Sequence, residues 1–176
     1  MPGPPGMLRR RWSLLRRHPE FAKLWAGDLV SVFGSAITTV ALPLTAVVVL
    51  HAGAFQMGVL AAAGTLPPLL FGLVAGVWID RFPRRLVLIV GDVGRALLLG
   101  TIPVLALLGR LRIEVLYLVA FLVGLLSFLF LIAAASVTPA LVDREDLMQA
   151  NSATALNSSL GSTAGPALAG ALVQLL

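Results

Sequence analysis

From Leu29 to Ile79 the chain carries no aspartate, glutamate, lysine or arginine, and the same is true from Val115 to Val142 and from Leu147 to Leu176. A helix crosses a hydrocarbon core of about 30 Å with about 20 apolar residues. Backbone groups in lipid must be satisfied within the segment, which leaves helices or closed barrels. Short alternating strands of the barrel kind are not visible. Charged residues make up only 12% of the chain and hydrophobic residues 59%, against about a quarter charged in a soluble domain. The expected class is an all-α integral membrane protein. Disulfides and thiolate metal sites are excluded, because there is no cysteine.

Five spans are predicted, at about 24–50, 57–79, 86–108, 115–135 and 153–176, after a basic arm over 1–23. Met7 offers an alternative start within the arm. The arm is not read as a signal peptide, because the apolar run behind it is too long. Short-loop lysines and arginines set orientation. Arg9, Arg10, Arg11, Arg16, Arg17, Lys23, Arg81, Arg84, Arg85 and Arg144 fall on one side, and Arg110 and Arg112 on the other. This places the N-terminus in the cytoplasm. The basic residues flank apolar spans, where they meet anionic head groups, so no nucleic-acid partner is expected despite a pI near 11.3. Trp12, Trp25 and Trp78 lie near span ends, where indoles anchor interfaces.

The turn Gly76–Arg85 joins the second and third spans. Phe82 precedes Pro83 and is biased away from helix, so the second helix should end near Arg81 with Asp80 in its last turn. A carboxylate there meets the negative end of the helix dipole and needs a partner. Gly72 and Gly76 precede Asp80 at steps of four, a stripe that permits close helix approach.

Before the fifth span, Asp143 can cap the helix with Asp146 answering three residues on, like a capping box. Further along, Gly161, Gly165 and Ala169 share one face, a packing surface, and Pro166 favours a kink. Both segments resemble signatures of the major facilitator superfamily. Gly76, Asp80, Arg81, Arg84 and Arg85 match its cytoplasmic signature, with Pro83 where glycine is usual. Gly161, Gly165, Pro166 and Gly170 match its antiporter signature, with Ala169 for a glycine and Ser152 at an upstream glycine position. Pro139 to Leu147 and Gln149 to Ser152 look like multidrug, macrolide and siderophore exporters of that superfamily.

The resemblance implies the N-terminal five helices of a twelve-helix fold with substrate bound between its two halves. It implies efflux of a hydrophobic or amphiphilic small molecule from the cytoplasm across the cell's inner membrane, with protons as the counter-ion. Asp80 becomes a conformational latch against the second half, which this chain lacks; the chain is expected to be a fragment or truncated product. A non-transporting membrane scaffold, suggested by the short length and glycine faces, is the alternative. No catalytic pair, phosphate loop or cofactor motif is seen, so neither an enzyme nor a cofactor is expected.

Several polar groups lie within the spans. Asp28 is read as a dipole-favoured carboxylate near the start of the first span, or a proton carrier; with Ser35, Thr38 and Asn157 it is a candidate for a cavity or proton site. Related exporters often carry an acid where Ser35 stands, and many place an arginine in the fourth span, which has none here. Asp92 and Arg95, three residues apart, are expected to form a structural ion pair at the membrane edge. His18 and His51 show no metal-ligand spacing along the sequence, and no metal site is expected.

Overall fold

The computed structural model describes residues 17–79 and 81–174. The arm up to Arg16 lies outside the described residues, and so does Asp80. Every regular element among the described residues is a helix: α1 (Pro19–Val48), α2 (Ala54–Ile79), α3 (Arg84–Leu107), α4 (Ile113–Leu141) and α5 (Leu147–Gln174). Among the described residues, four segments are long and apolar enough to cross a membrane: Pro19–Val48, Ala54–Leu73, Arg84–Leu107 and Ile113–Val137. Within α5, Ser152, Thr154, Ser158, Ser159 and Ser162 bring hydroxyls into a charge-free helix. Their hydroxyls donate back to α5's own carbonyls three or four residues earlier, the way a polar side chain is satisfied on a helix in lipid.

The helices start before the apolar runs. Helix α1 opens on Pro19, whose missing N–H is no loss in a first turn, with Glu20 in that turn paired to Lys23 at 2.7 Å. Helix α2 is described as far as Ile79, and Phe82 N–H closes a turn onto Ile79 O at 3.1 Å. Pro83 precedes α3 with φ −57° and ψ 114°. Arg84 and Arg85 therefore occupy the first turn of α3, where the positive helix end adds to their own charge.

The α1–α2 connection is tight. Ala52 N–H reaches back to Ala46 O at 2.9 Å, and His51 sits at φ 52°. Gln56 Oε1 then accepts from Gly53 N–H at 2.9 Å, half of a capping box. A left-handed conformation costs a side chain about 1–2 kcal/mol. His51→Gly is thus expected to hold or raise the thermal midpoint in detergent, and His51→Val to lower it. The α3 end is built the same way with the favoured residue: Gly109 at φ 64°, and Arg110 N–H bonded to Leu105 O at 2.9 Å, a Schellman closure.

The chain forms two compact units, one from the residues up to Ile37 plus Ser136 onward, the other Thr38–Ala135. In the first unit, Phe21, Val142, Ala150 and Ala153 form a buried cluster, with Trp25, Leu141 and Leu147 packed on it. From there α1 and α5 run side by side. Trp25 Nε1 donates to Ala153 O at 3.1 Å; Asn157 meets Asp28; Gly161 meets Val32, and Gly165 meets Ala36. Each contact advances along both helices together, so they are parallel. The faces are small because they must be: a methyl on Gly161 would fall on Val32 Cγ1, and one on Gly165 on Ala36 Cβ.

In the second unit, Leu42, Ala46, Leu60, Leu116 and Ala120 form the core, surrounded by residues including Leu99, Ile102 and Tyr117. Helices α2 and α4 are parallel: Gly124 packs on Gly64 and Pro67, and Phe128 on Gly72. Pro68 has no N–H to give Gly64 O, and a methyl on Gly124 would strike that carbonyl. The proline pair thus opens the backbone where glycine lets α4 approach. Helix α3 runs antiparallel to α4, with Gly91 against Phe130 and Gly94 against Leu126.

The expected capping box at α5 is not what forms. Asp146 directly precedes α5, and its Oδ2 pairs with His18 Nε2 at 3.2 Å. Asp143 lies one turn earlier and holds that turn through its backbone, accepting Asp146 N–H at 2.9 Å.

Candidate functional site

The α1–α5 seam carries a polar station. Asn157 is wholly buried. Its Nδ2 donates to Trp25 O at 3.1 Å and to Asp28 Oδ2 at 2.8 Å. Trp25 O can only accept, so the amide nitrogen faces α1. Trp25 returns a bond to α5 through its indole. The two helices therefore exchange donors: an indole N–H goes to the α5 backbone, and an amide N–H to the α1 backbone. Asn157 Oδ1 has no hydrogen-bond partner, which costs about 1–3 kcal/mol when buried.

This places Asp28 differently from its sequence-based reading. It stands nine residues into α1, past the first turn where a helix dipole acts. Its observed companion is a donor from α5. Asn157, expected on a cavity, instead faces α1. Ser35 is exposed and Thr38 half-buried, and both follow Asp28 along α1. Asn157→Leu removes a donor from a carboxylate and is expected to lower stability by about 1.5–3 kcal/mol, read by thermal unfolding in detergent. Asn157→Asp should cost more, because it sets a second acid against Asp28.

A second station lies in the other unit. Arg95 is buried. Its Nη2 pairs with Asp92 Oδ1, its Nη1 donates to Ser127 Oγ at 3.3 Å, and its Nε donates to Gly91 O at 3.2 Å. The guanidinium also lies 4.8 Å from the centre of the Phe130 ring. Eleven residues separate Arg95 from the start of α3, about 16 Å at 1.5 Å per residue. The pair thus sits in the middle of the helix and not at its edge. Charge that deep is tolerated only when paired within protein, and here the ring, the hydroxyl and the acid enclose it.

Of the turn signature, Gly76 lies in α2, and Arg81, Arg84 and Arg85 are exposed; Asp80 is outside the described residues. Of the antiporter-like set, Gly161 and Gly165 form the α1 contact, while Pro166 and Gly170 fall within the range of α5. Sequence reasoning missed the partners of this motif. Asp28, Val32 and Ala36 repeat on α1 at the same four-residue step, which was the available signal.

Comparison with known proteins agrees with this architecture. The family described as "Transmembrane secretion effector" matches residues 10–176. The chain belongs to that family, within the major facilitator superfamily, and is a multi-pass membrane protein. It is 33% identical over 172 residues to the enterobactin exporter EntS of Salmonella typhi, covering 95% of this chain and 41% of that protein. It is 32% identical over 179 residues to that of Citrobacter koseri, again 95% and 41%. With the exporter of Escherichia coli O127:H6 the identity is 32% over 169 residues, 92% of this chain and 38% of that protein. The chain thus spans about two fifths of the length of these curated relatives. No solved structure matches significantly.

Proposed function

We propose that this chain supplies the first five helices of a secondary active exporter in the inner membrane, with its N-terminus in the cytoplasm. The observation that carries this reading is the α1–α5 seam: the antiporter-like glycines are used to join the fifth helix to the first, beside a buried Asp28–Asn157 pair. The exposed hydroxyls of α5, at Ser152, Ser158, Ser159 and Ser162, are read as facing protein or water in the complete transporter. The cargo is a hydrophobic or amphiphilic small molecule, for which enterobactin is the first candidate by likeness. Protons are the proposed counter-ion, with Asp28 the best-placed carboxylate to carry them. Asp80, Arg81, Arg84 and Arg85 form the proposed latch against the second half. The arginines in the first turn of α3 favour an anionic partner there, which Asp80 or a lipid phosphate would supply. The α5 glycines pack on α1 within the chain, which favours this reading over a scaffold that would use them on its outer face.

The test is transport by the full-length protein in everted vesicles with an imposed proton gradient and enterobactin among the compounds. Uptake that follows the gradient is the expected result; uptake indifferent to it removes the proton. Asp80→Asn should slow turnover more than it weakens binding, and turnover equal to wild type would contradict the latch.

A further inference from the structure

We infer that His18, Asp143 and Asp146 form a site for a divalent transition-metal ion at the head of the α1–α5 seam. His18 immediately precedes α1 and Asp146 immediately precedes α5, so the parallel pairing of the two helices brings together residues 128 apart in sequence. His18 Nε2 lies 3.2 Å from Asp146 Oδ2 and 3.8 Å from Asp143 Oδ2. The three donor atoms all lie within 4.8 Å of one another.

A histidine–aspartate pair alone accounts for Asp146 but not for Asp143. In either protonation state Nε2 carries at most one N–H, which it can give to one carboxylate. The second carboxylate stands beyond hydrogen-bond reach of Nε2 and within repulsive distance of the first. A cation resolves both problems at once: Nε2 becomes a ligand, Nδ1 keeps the proton, and each carboxylate turns one oxygen inward. Metal–ligand bonds of about 2.0–2.2 Å require the donors to draw together. Asp143 can do so, since its side chain is 84% exposed, while those of His18 and Asp146 are 15% and 16% exposed and already close.

The base of the site is rigid. His18 O accepts Ala22 N–H at 3.0 Å, and Asp146 O accepts Ala150 N–H at 2.9 Å, so the first turn of each helix holds its ligand. Phe21, Val142, Ala150 and Ala153 pack around these turns. One imidazole with two carboxylates suits zinc, manganese or ferrous iron and disfavours magnesium and calcium, which prefer all-oxygen shells. The other charges in the adjoining segments do not fill the site: Lys23 is bonded to Glu20, and Arg17, Arg144 and Glu145 are exposed. A bound ion would tie the start of α1 to the start of α5.

The test is calorimetric titration of Zn²⁺, and electron paramagnetic resonance titration of Mn²⁺, into the full-length protein in detergent. One saturable site is expected. Asp146→Asn should abolish it, and Asp143→Asn should weaken it at least about tenfold. Because Asp143 is exposed, that variant should unfold at the wild-type temperature without metal, so a loss of binding cannot be assigned to misfolding. Glu145→Gln, in the same turn but outside the triad, should bind as wild type does. Absence of saturable binding, binding indifferent to Asp143→Asn, or equal affinity for Mg²⁺ and Zn²⁺ would each overturn the proposal.

Discussion

Arg95→Met is expected to lower stability by about 3–5 kcal/mol, the cost of leaving one member of a buried ion pair alone. The change strips Asp92 of its cation in the middle of α3 and removes the guanidinium from Ser127 and from the face of Phe130. Asp92→Asn should cost less, because Asp92 is 40% exposed while Arg95 is 9% exposed at the side chain, and Arg95 keeps its other acceptors. The combined Arg95→Met, Asp92→Asn variant should recover part of the loss, since neither charge is then stranded. Unfolding of the four proteins in detergent gives the coupling directly. Additive losses would mean that the two side chains do not act as a pair.

The second large effect is expected at Gly165. Its neighbour across the seam is the Cβ of Ala36, with the Ala36 Cα behind it, and alanine has no rotamer with which to yield. Gly165→Ala must push the helices apart, at about 1–3 kcal/mol. Gly161→Ala meets a methyl of Val32, which can turn at χ1, and should cost less. Ala36→Gly should rescue Gly165→Ala by restoring the space. Thermal midpoints of the three variants and the rescue pair decide the matter; rescue failing, or the two glycines ranking in reverse order, would contradict the register of α1 on α5.

How far this structure could be read beforehand differs from element to element. The helices were legible because lipid demands long charge-free runs. Their ends were less so, because polar first turns look like loop: Gln149, Asn151 and Ser152 all lie inside α5, and their polarity moved the expected start to 153. Asp146 carries the sharper lesson. A local rule assigned it to a cap, but a histidine 128 residues away competes for the same oxygen, and no local pattern contains that histidine. The glycine face of α5 was legible as a packing surface, but its partner was not, since a step of four on α1 is visible only to a reader who already suspects the pairing. Arg95 was legible as a pair with Asp92, and the expected span from 86 already put it well inside the helix; what the sequence did not show was the Ser127 and Phe130 side chains that enclose it.

The parallel seam also bears on the order in which the chain can be made. Asp28 waits for a donor that lies 129 residues downstream. At synthesis rates of about 5–20 residues per second, that residue emerges roughly 6 to 26 seconds later. For that interval α1 carries a carboxylate without its α5 donor, an indole without its α5 acceptor and a face sized for glycine. The earlier helix of the pair is thus finished only when the later one arrives.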